Sequence, residues 1–102
     1  MIHELKTVDP YWSDVASGAK TFEVRKNDRG FSVGDTLLLR RYSPGSGCYV
    51  RGGDLDINPA AADTVWATVT YVLPGGSLGI APDTCVLGLK VRKPRKRKAD
   101  VE

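Results

Sequence analysis

The run Thr64-Val65-Trp66-Ala67-Thr68-Val69-Thr70-Tyr71-Val72-Leu73, stopped by Pro74-Gly75-Gly76, constrains this chain more than any other segment. Branching at Cβ stiffens χ1 and suits a pleated backbone, so the run predicts one long strand. A long strand needs partners on both edges, because isolated strand pairs are marginal in water. Four further segments supply them. Glu4-Leu5-Lys6-Thr7-Val8 alternates in polarity, as does Thr21-Phe22-Glu23-Val24-Arg25-Lys26. Thr36 to Tyr42 carries three consecutive leucines, which predicts burial on both faces. Thr84 to Val91 closes the series. No βα unit repeats, so a doubly wound parallel sheet is not expected. About five strands in a small curled sheet or barrel is the natural solution, because closure removes exposed edges.

One or two short helices complete a mainly β (α+β) fold. Asp9-Pro10 reads as a helix start, with Asp9 as cap and Pro10 in the first turn. Tyr11, Trp12, Val15 and Ala16 then recur at helical spacing, and Gly18 marks the end. Residues 43–63 hold Pro44-Gly45-Ser46-Gly47 and Arg51-Gly52-Gly53-Asp54, which predict a short hairpin around Cys48–Val50 and a variable excursion after it.

With 102 residues, the chain accommodates one domain, placed at 1–91. No apolar run approaches the roughly 20 residues that span a bilayer, and the N-terminus has no apolar signal core, so a cytoplasmic protein without a membrane partner is expected. Cys48 and Cys85 are far apart and belong to no CxxC pair, and His3 is the only histidine. A structural zinc site takes about four ligands, so neither a metal nor any other cofactor is expected, and the cysteines read as reduced.

Charge is uneven along the chain. Residues 1–89 carry 8 basic and 10 acidic residues, whereas 7 basic and 2 acidic residues follow from Lys90 onward. The segment 92–102 has almost nothing apolar to bury and is expected to be a disordered basic tail. Its Arg92, Lys93, Arg95, Lys96, Arg97 and Lys98 are candidates for nonspecific, salt-sensitive contact with nucleic acid.

The stretch Gly18-Ala19-Lys20-Thr21-Phe22-Glu23-Val24-Arg25-Lys26-Asn27-Asp28-Arg29 is the one to carry chemistry. It puts Lys20 at a helix-to-strand corner. With Phe22 and Val24 facing the core, Thr21, Glu23 and Arg25 share the opposite face of the strand. Such a row offers cations for phosphate oxygens and a carboxylate for an exocyclic amine or a ribose hydroxyl. Lys20, Thr21, Glu23, Arg25, Lys26, Asn27 and Arg29 are therefore the candidate ligand-binding residues. Tyr11 and Trp12 are candidates to stack a base, and Trp66 is expected in the core.

These residues also carry a resemblance. His3-Glu4-Leu5-Lys6, the block from Gly18 to Asp35, Val69-Thr70-Tyr71-Val72-Leu73 with Gly75-Gly76, and Val86-Leu87-Gly88-Leu89 resemble a phage and bacterial family that bears only a domain-of-unknown-function name. That family belongs to the ASCH domains of the PUA-like superfamily. The resemblance implies a β-barrel with a cleft beside the Gly-x-Lys corner and RNA as ligand, in the host cytoplasm if the protein is phage-encoded. It also implies hydrolytic relatives: ASCH-type amidohydrolases that deacetylate acetylcytidine, and ribonucleases. The amidohydrolase pattern has lysine at the corner, matched by Lys20, and a nucleophilic threonine three residues later, where this chain has Glu23.

The first reading is thus an RNA- or nucleotide-binding module, with catalysis not expected. The alternative is a hydrolase acting on a modified nucleoside or on RNA, with Lys20, Glu23 and Thr21 as its catalytic candidates. A second alternative is a phage accessory protein that binds a host protein or a signalling nucleotide.

Overall fold

The computed structural model describes residues 1–92. The five expected strands are present as β1 (Ile2–Val8), β2 (Phe22–Lys26), β3 (Thr36–Ser43), β6 (Thr64–Pro74) and β7 (Thr84–Val91). Two short ones, β4 (Cys48–Arg51) and β5 (Asp54–Asp56), form the hairpin expected within 43–63 and bring the sheet to seven strands. The helix α1 (Tyr11–Ser17) ends at Gly18, whose φ of 87° is the left-handed conformation that glycine adopts most cheaply. A 3-10 turn, Pro59–Ala61, follows the hairpin.

The main path through the sheet is β1-β3-β6-β7-β2. Strand β1 lies parallel to β3 with Leu5 opposite Leu39, and every other pairing is antiparallel. Strand β3 is central because β1 and β6 both pair with its residues 36–40 from opposite sides. The β4–β5 hairpin extends from the far end of β3. The curled sheet is not a closed barrel. Its terminal strands, β1 and β2, share no backbone ladder. A side chain spans that seam instead: Arg25 Nη2 on β2 donates to the Lys6 carbonyl (2.9 Å) and to Thr7 Oγ1 (2.8 Å) on β1.

Leu5, Val15, Phe31, Leu37, Leu39, Val65, Ala67, Val69, Cys85, Leu87 and Leu89 make the core. Leu38, on the opposite face of β3, is also buried, as the leucine run predicted. Trp66 departs from expectation. Val65, Ala67 and Val69 take the inward phase of β6, which turns Trp66 outward, 40% exposed. Gly75 is required by crowding, since a Cβ there would run into the carbonyl oxygens of Ala81 and Thr84.

Two carboxylates tie loops to this frame. Asp9 is not the cap expected of it: the N-cap position falls on Pro10, which makes no side-chain cap bond. Asp9, one residue earlier, braces the first turn of α1 by accepting from Ser13 N–H (3.2 Å) and Ser13 Oγ (2.6 Å), and its other oxygen accepts from Arg41 Nε (2.6 Å). Asp35 is hydrogen-bonded to His3 (2.8 Å) and accepts from Ser32 N–H (3.0 Å). The Ser13 hydroxyl and then Arg41 hold Asp9 below the ordinary carboxylate range, and the His3 bond and then the Ser32 amide do the same for Asp35. A lowered folded-state pKa stabilises the fold at pH values above the unfolded one. That contribution is therefore complete above the ordinary aspartate value of about 3.9 and is lost as pH falls through the lower folded values. Chemical denaturation between pH 7 and pH 2 is expected to show stability falling on the acid side. In Asp9→Asn that acid limb is expected to flatten, while an unchanged limb would assign the acid sensitivity elsewhere.

Candidate functional site at the open seam

The corner that delivers Lys20 is fixed by backbone. Lys20 N–H donates to the Asp14 carbonyl (3.0 Å), and the Thr21 carbonyl accepts from Leu89 N–H (2.9 Å), which docks the chain onto β7. Strand β2 then runs antiparallel to β7 with Glu23 opposite Leu87 and Arg25 opposite Cys85. Leu87 and Cys85 point into the core, so Glu23 and Arg25 point inward too. The expected phase of β2 is therefore inverted. Glu23 is only 3% exposed, whereas Phe22 and Val24 are 44% and 53% exposed.

A buried carboxylate persists only if its charge is compensated. Glu23 Oε1 accepts from Lys20 Nζ (3.0 Å) and Oε2 from Arg25 Nε (3.1 Å). The Arg25 guanidinium continues to Lys6 and Thr7 on β1. The result is one chain of charge-assisted bonds from the end of α1, through β2, to the opposite wall of the seam. The Lys20 ammonium also lies 4.8 Å from the ring centroid of Tyr11 and 5.3 Å from that of Phe22, so two exposed aromatics flank it at cation–π distance.

An open cleft of about 590 Å³ lies against this chain, between the free edges of β1 and β2, with Tyr11 at its rim. That volume is within the usual range for small-molecule sites, about 300–1,000 Å³. Three cations, Lys6, Lys20 and Arg25, face it against the single carboxylate of Glu23. A second cleft of about 520 Å³ adjoins it. It shares Lys6 and Arg25 and adds Arg29, Arg40, Glu4 and Tyr49.

Of the expected site residues, the fold brings Lys20, Glu23 and Arg25 into one cluster and places Tyr11 beside it. Arg29 lines the second cleft. Thr21, Lys26 and Asn27 are exposed and line neither. Trp12 packs on the core with its Nε1 donating to the Leu39 carbonyl (3.0 Å), so its place is structural, and Tyr11 is the aromatic presented to the cleft. Arg92 is tied to the sheet: its N–H donates to the Trp66 carbonyl (2.7 Å) and its Nη2 to Thr36 Oγ1 (2.7 Å). Arg92, expected in the basic tail, thus belongs to the contacts of the sheet. Lys93, Arg95, Lys96, Arg97 and Lys98 lie outside the described residues.

Sequence reasoning missed Lys6, Thr7 and Val8, the β1 wall of the first cleft. Alternation along β1 does present Lys6 outward, but only the parallel β1–β3 pairing carries it to the seam. Among the described residues there is no grouping of three or more metal-ligating side chains, and no helix is long and apolar enough to cross a membrane. Both cysteines are free thiols; burial pushes the Cys85 thiol up, away from the reactive thiolate.

Two comparisons with known proteins bear on this site. The chain is 43% identical over 44 residues to a protein of Escherichia phage P2 described as "Uncharacterized 12.9 kDa protein in GpA 3'region". The match covers 43% of this chain and 40% of the phage protein, so less than half of that relative is represented. A family model described as "Domain of unknown function (DUF3850)" matches residues 2–89, which include the helix, both walls of the seam and every strand except the last two residues of β7. On that match, the chain belongs to the DUF3850 family.

Proposed function

We propose that the seam cleft binds a nucleotide unit, free or within single-stranded RNA, with phosphate at Lys20 and Lys6 and the base against Tyr11 or Phe22. The observation that carries this reading is the juxtaposition of three cations with two exposed aromatics around one ligand-sized cleft. Cations supply sequence-independent attraction to phosphate, and aromatic faces accept any base. The resemblance to ASCH domains points the same way.

Glu23 fits this role better than that of a general base. Each of its oxygens already accepts from a cation, so it holds Lys20 and Arg25 in place and is poorly disposed to take a proton from water or substrate. The hydroxyl in the cluster, Thr7 Oγ1, accepts from Arg25, and among the described residues it makes no hydrogen bond to a carboxylate or imidazole that could activate it. Binding without turnover is the reading that this arrangement supports.

Titration of a short single-stranded RNA at two salt concentrations tests it. Lys20→Ala is expected to weaken binding about tenfold, the scale of one charged hydrogen bond. Tyr11→Ala is expected to lose about 1–3 kcal/mol, the scale of one base stack. A chain ending at Arg92 separates the cleft from the basic run that follows it: affinity and salt slope are expected to fall while both substitutions keep their effects. Unchanged binding in Lys20→Ala and Tyr11→Ala would overturn the proposal.

A further inference from the structure

The second cleft and the distribution of charge go beyond a single nucleotide. Residues 1–89 have a net acidic balance, with ten acidic and eight basic residues. Five of those eight, Lys6, Lys20, Arg25, Arg29 and Arg40, line the two seam clefts, where only Glu4 and Glu23 oppose them. Clustered charge of one sign in a concave surface focuses the field and concentrates counter-ions there. Both clefts are of ligand size, and Lys6 and Arg25 are common to their linings.

The cations differ in availability. Arg40 Nη2 is paired to Glu4 (2.6 Å) and its Nη1 donates to the Pro59 carbonyl (2.7 Å), so it shapes the second cleft. Arg25 bridges the seam. Arg29 pairs loosely with Asp28 (3.9 Å), and its side chain is 45% exposed. Lys6 has no carboxylate within ion-pair distance among the described residues; its ammonium lies 4.7 Å from the Tyr42 ring centroid. Arg29, which lines only the second cleft, is therefore the side chain free to reach a second phosphate, with Lys6 between the two.

Resting on the nucleotide reading of the first cleft, we propose that the site is a track for a single strand. One nucleotide occupies the first cleft, the backbone crosses beside Lys6 and Arg25, and the next phosphate lies in the second cleft against Arg29. The ligand class is then a single-stranded oligonucleotide in preference to a mononucleotide.

The test titrates the full chain with uridine 5′-monophosphate and with an eight-nucleotide oligouridylate. It compares the unaltered protein, Arg29→Ala, Lys26→Ala and Lys20→Ala. Lys26→Ala is the control: it removes the same charge three residues away, outside both clefts. The oligonucleotide is expected to bind at least tenfold more tightly than the monophosphate. Arg29→Ala is expected to weaken the oligonucleotide about tenfold, as loss of one charged contact does, and to change monophosphate binding less than twofold. It should also reduce the salt slope by about 0.7, the value for one single-strand phosphate contact. Lys26→Ala should leave affinities and slope in place. Equal affinities for the two probes, or equal effects of Arg29→Ala and Lys26→Ala, would overturn the track while leaving the first cleft as a nucleotide site. Indifference of both probes to Lys20→Ala would overturn the nucleotide reading and the track with it.

Discussion

Glu23→Ala is expected to destabilise the protein by about 3 kcal/mol and to weaken nucleotide binding, although it makes the cleft more positive. Breaking a buried ion pair by removing one partner generally costs about 3–5 kcal/mol, because a charge is left uncompensated. The low end applies here, since the side chains of Lys20 and Arg25 remain 17% and 22% exposed and regain some water. In urea the unfolding midpoint should fall by about 1–3 M, for slopes of about 1–3 kcal/mol per molar. Glu23→Gln should fall between the two proteins. Its amide nitrogen must face either Lys20 Nζ or Arg25 Nε, both donors, so one of the two bonds is lost. The binding measurement separates two roles for the carboxylate. If Glu23 positions Lys20 and Arg25, affinity falls in both variants. If net charge alone governs the cleft, affinity rises, and the positioning role is wrong.

Leu39→Ala is expected to cost about 2–5 kcal/mol, the range for truncating a buried leucine to alanine. Leu39 is fully buried at the centre of the sheet, opposite Leu5 on β1 and Val65 on β6. The transferred area and the cavity left behind both contribute, and the site is bounded by strands that cannot collapse without breaking ladders. Total stability for a domain is about 5–15 kcal/mol, so this one change removes a large part of it. A melting temperature lower by about 10–30 °C is the expected readout for a chain of this size. Val33→Ala, at a position 64% exposed, should stay within about 0.5 kcal/mol. Similar melting temperatures for the two variants would contradict the placement of the core.

The element order was legible because its signals are local. β-branched runs bounded by Pro and Gly located the strands, and Gly18 closed the helix. The corner at Lys20 was legible for the same reason, and so was its cluster with Glu23 and Arg25, which are close in the chain. The phase of β2 was not. Phe22 and Val24 alternate with Glu23 and Arg25, and either pair satisfies a period of two. Burying the apolar pair is the ordinary choice, and it is reversed here because Lys20 and Arg25 compensate Glu23 while the open seam gives the cations access to solvent. Trp66 was misplaced by the same preference for burying aromatics, which the register of β6 overrides.

The sequence by itself determined the mainly β architecture, the order of its elements and the residues that make the charged corner, because propensity, turn chemistry and short-range spacing act within a few residues. Only the tertiary structure decided that β1 pairs parallel to β3, that the sheet stops short of closing, and that Lys6 and Thr7 face Glu23 and Arg25 across the gap. Those facts depend on contacts between segments some 20 residues apart or more, whose free energy comes from burial and register that no local pattern encodes.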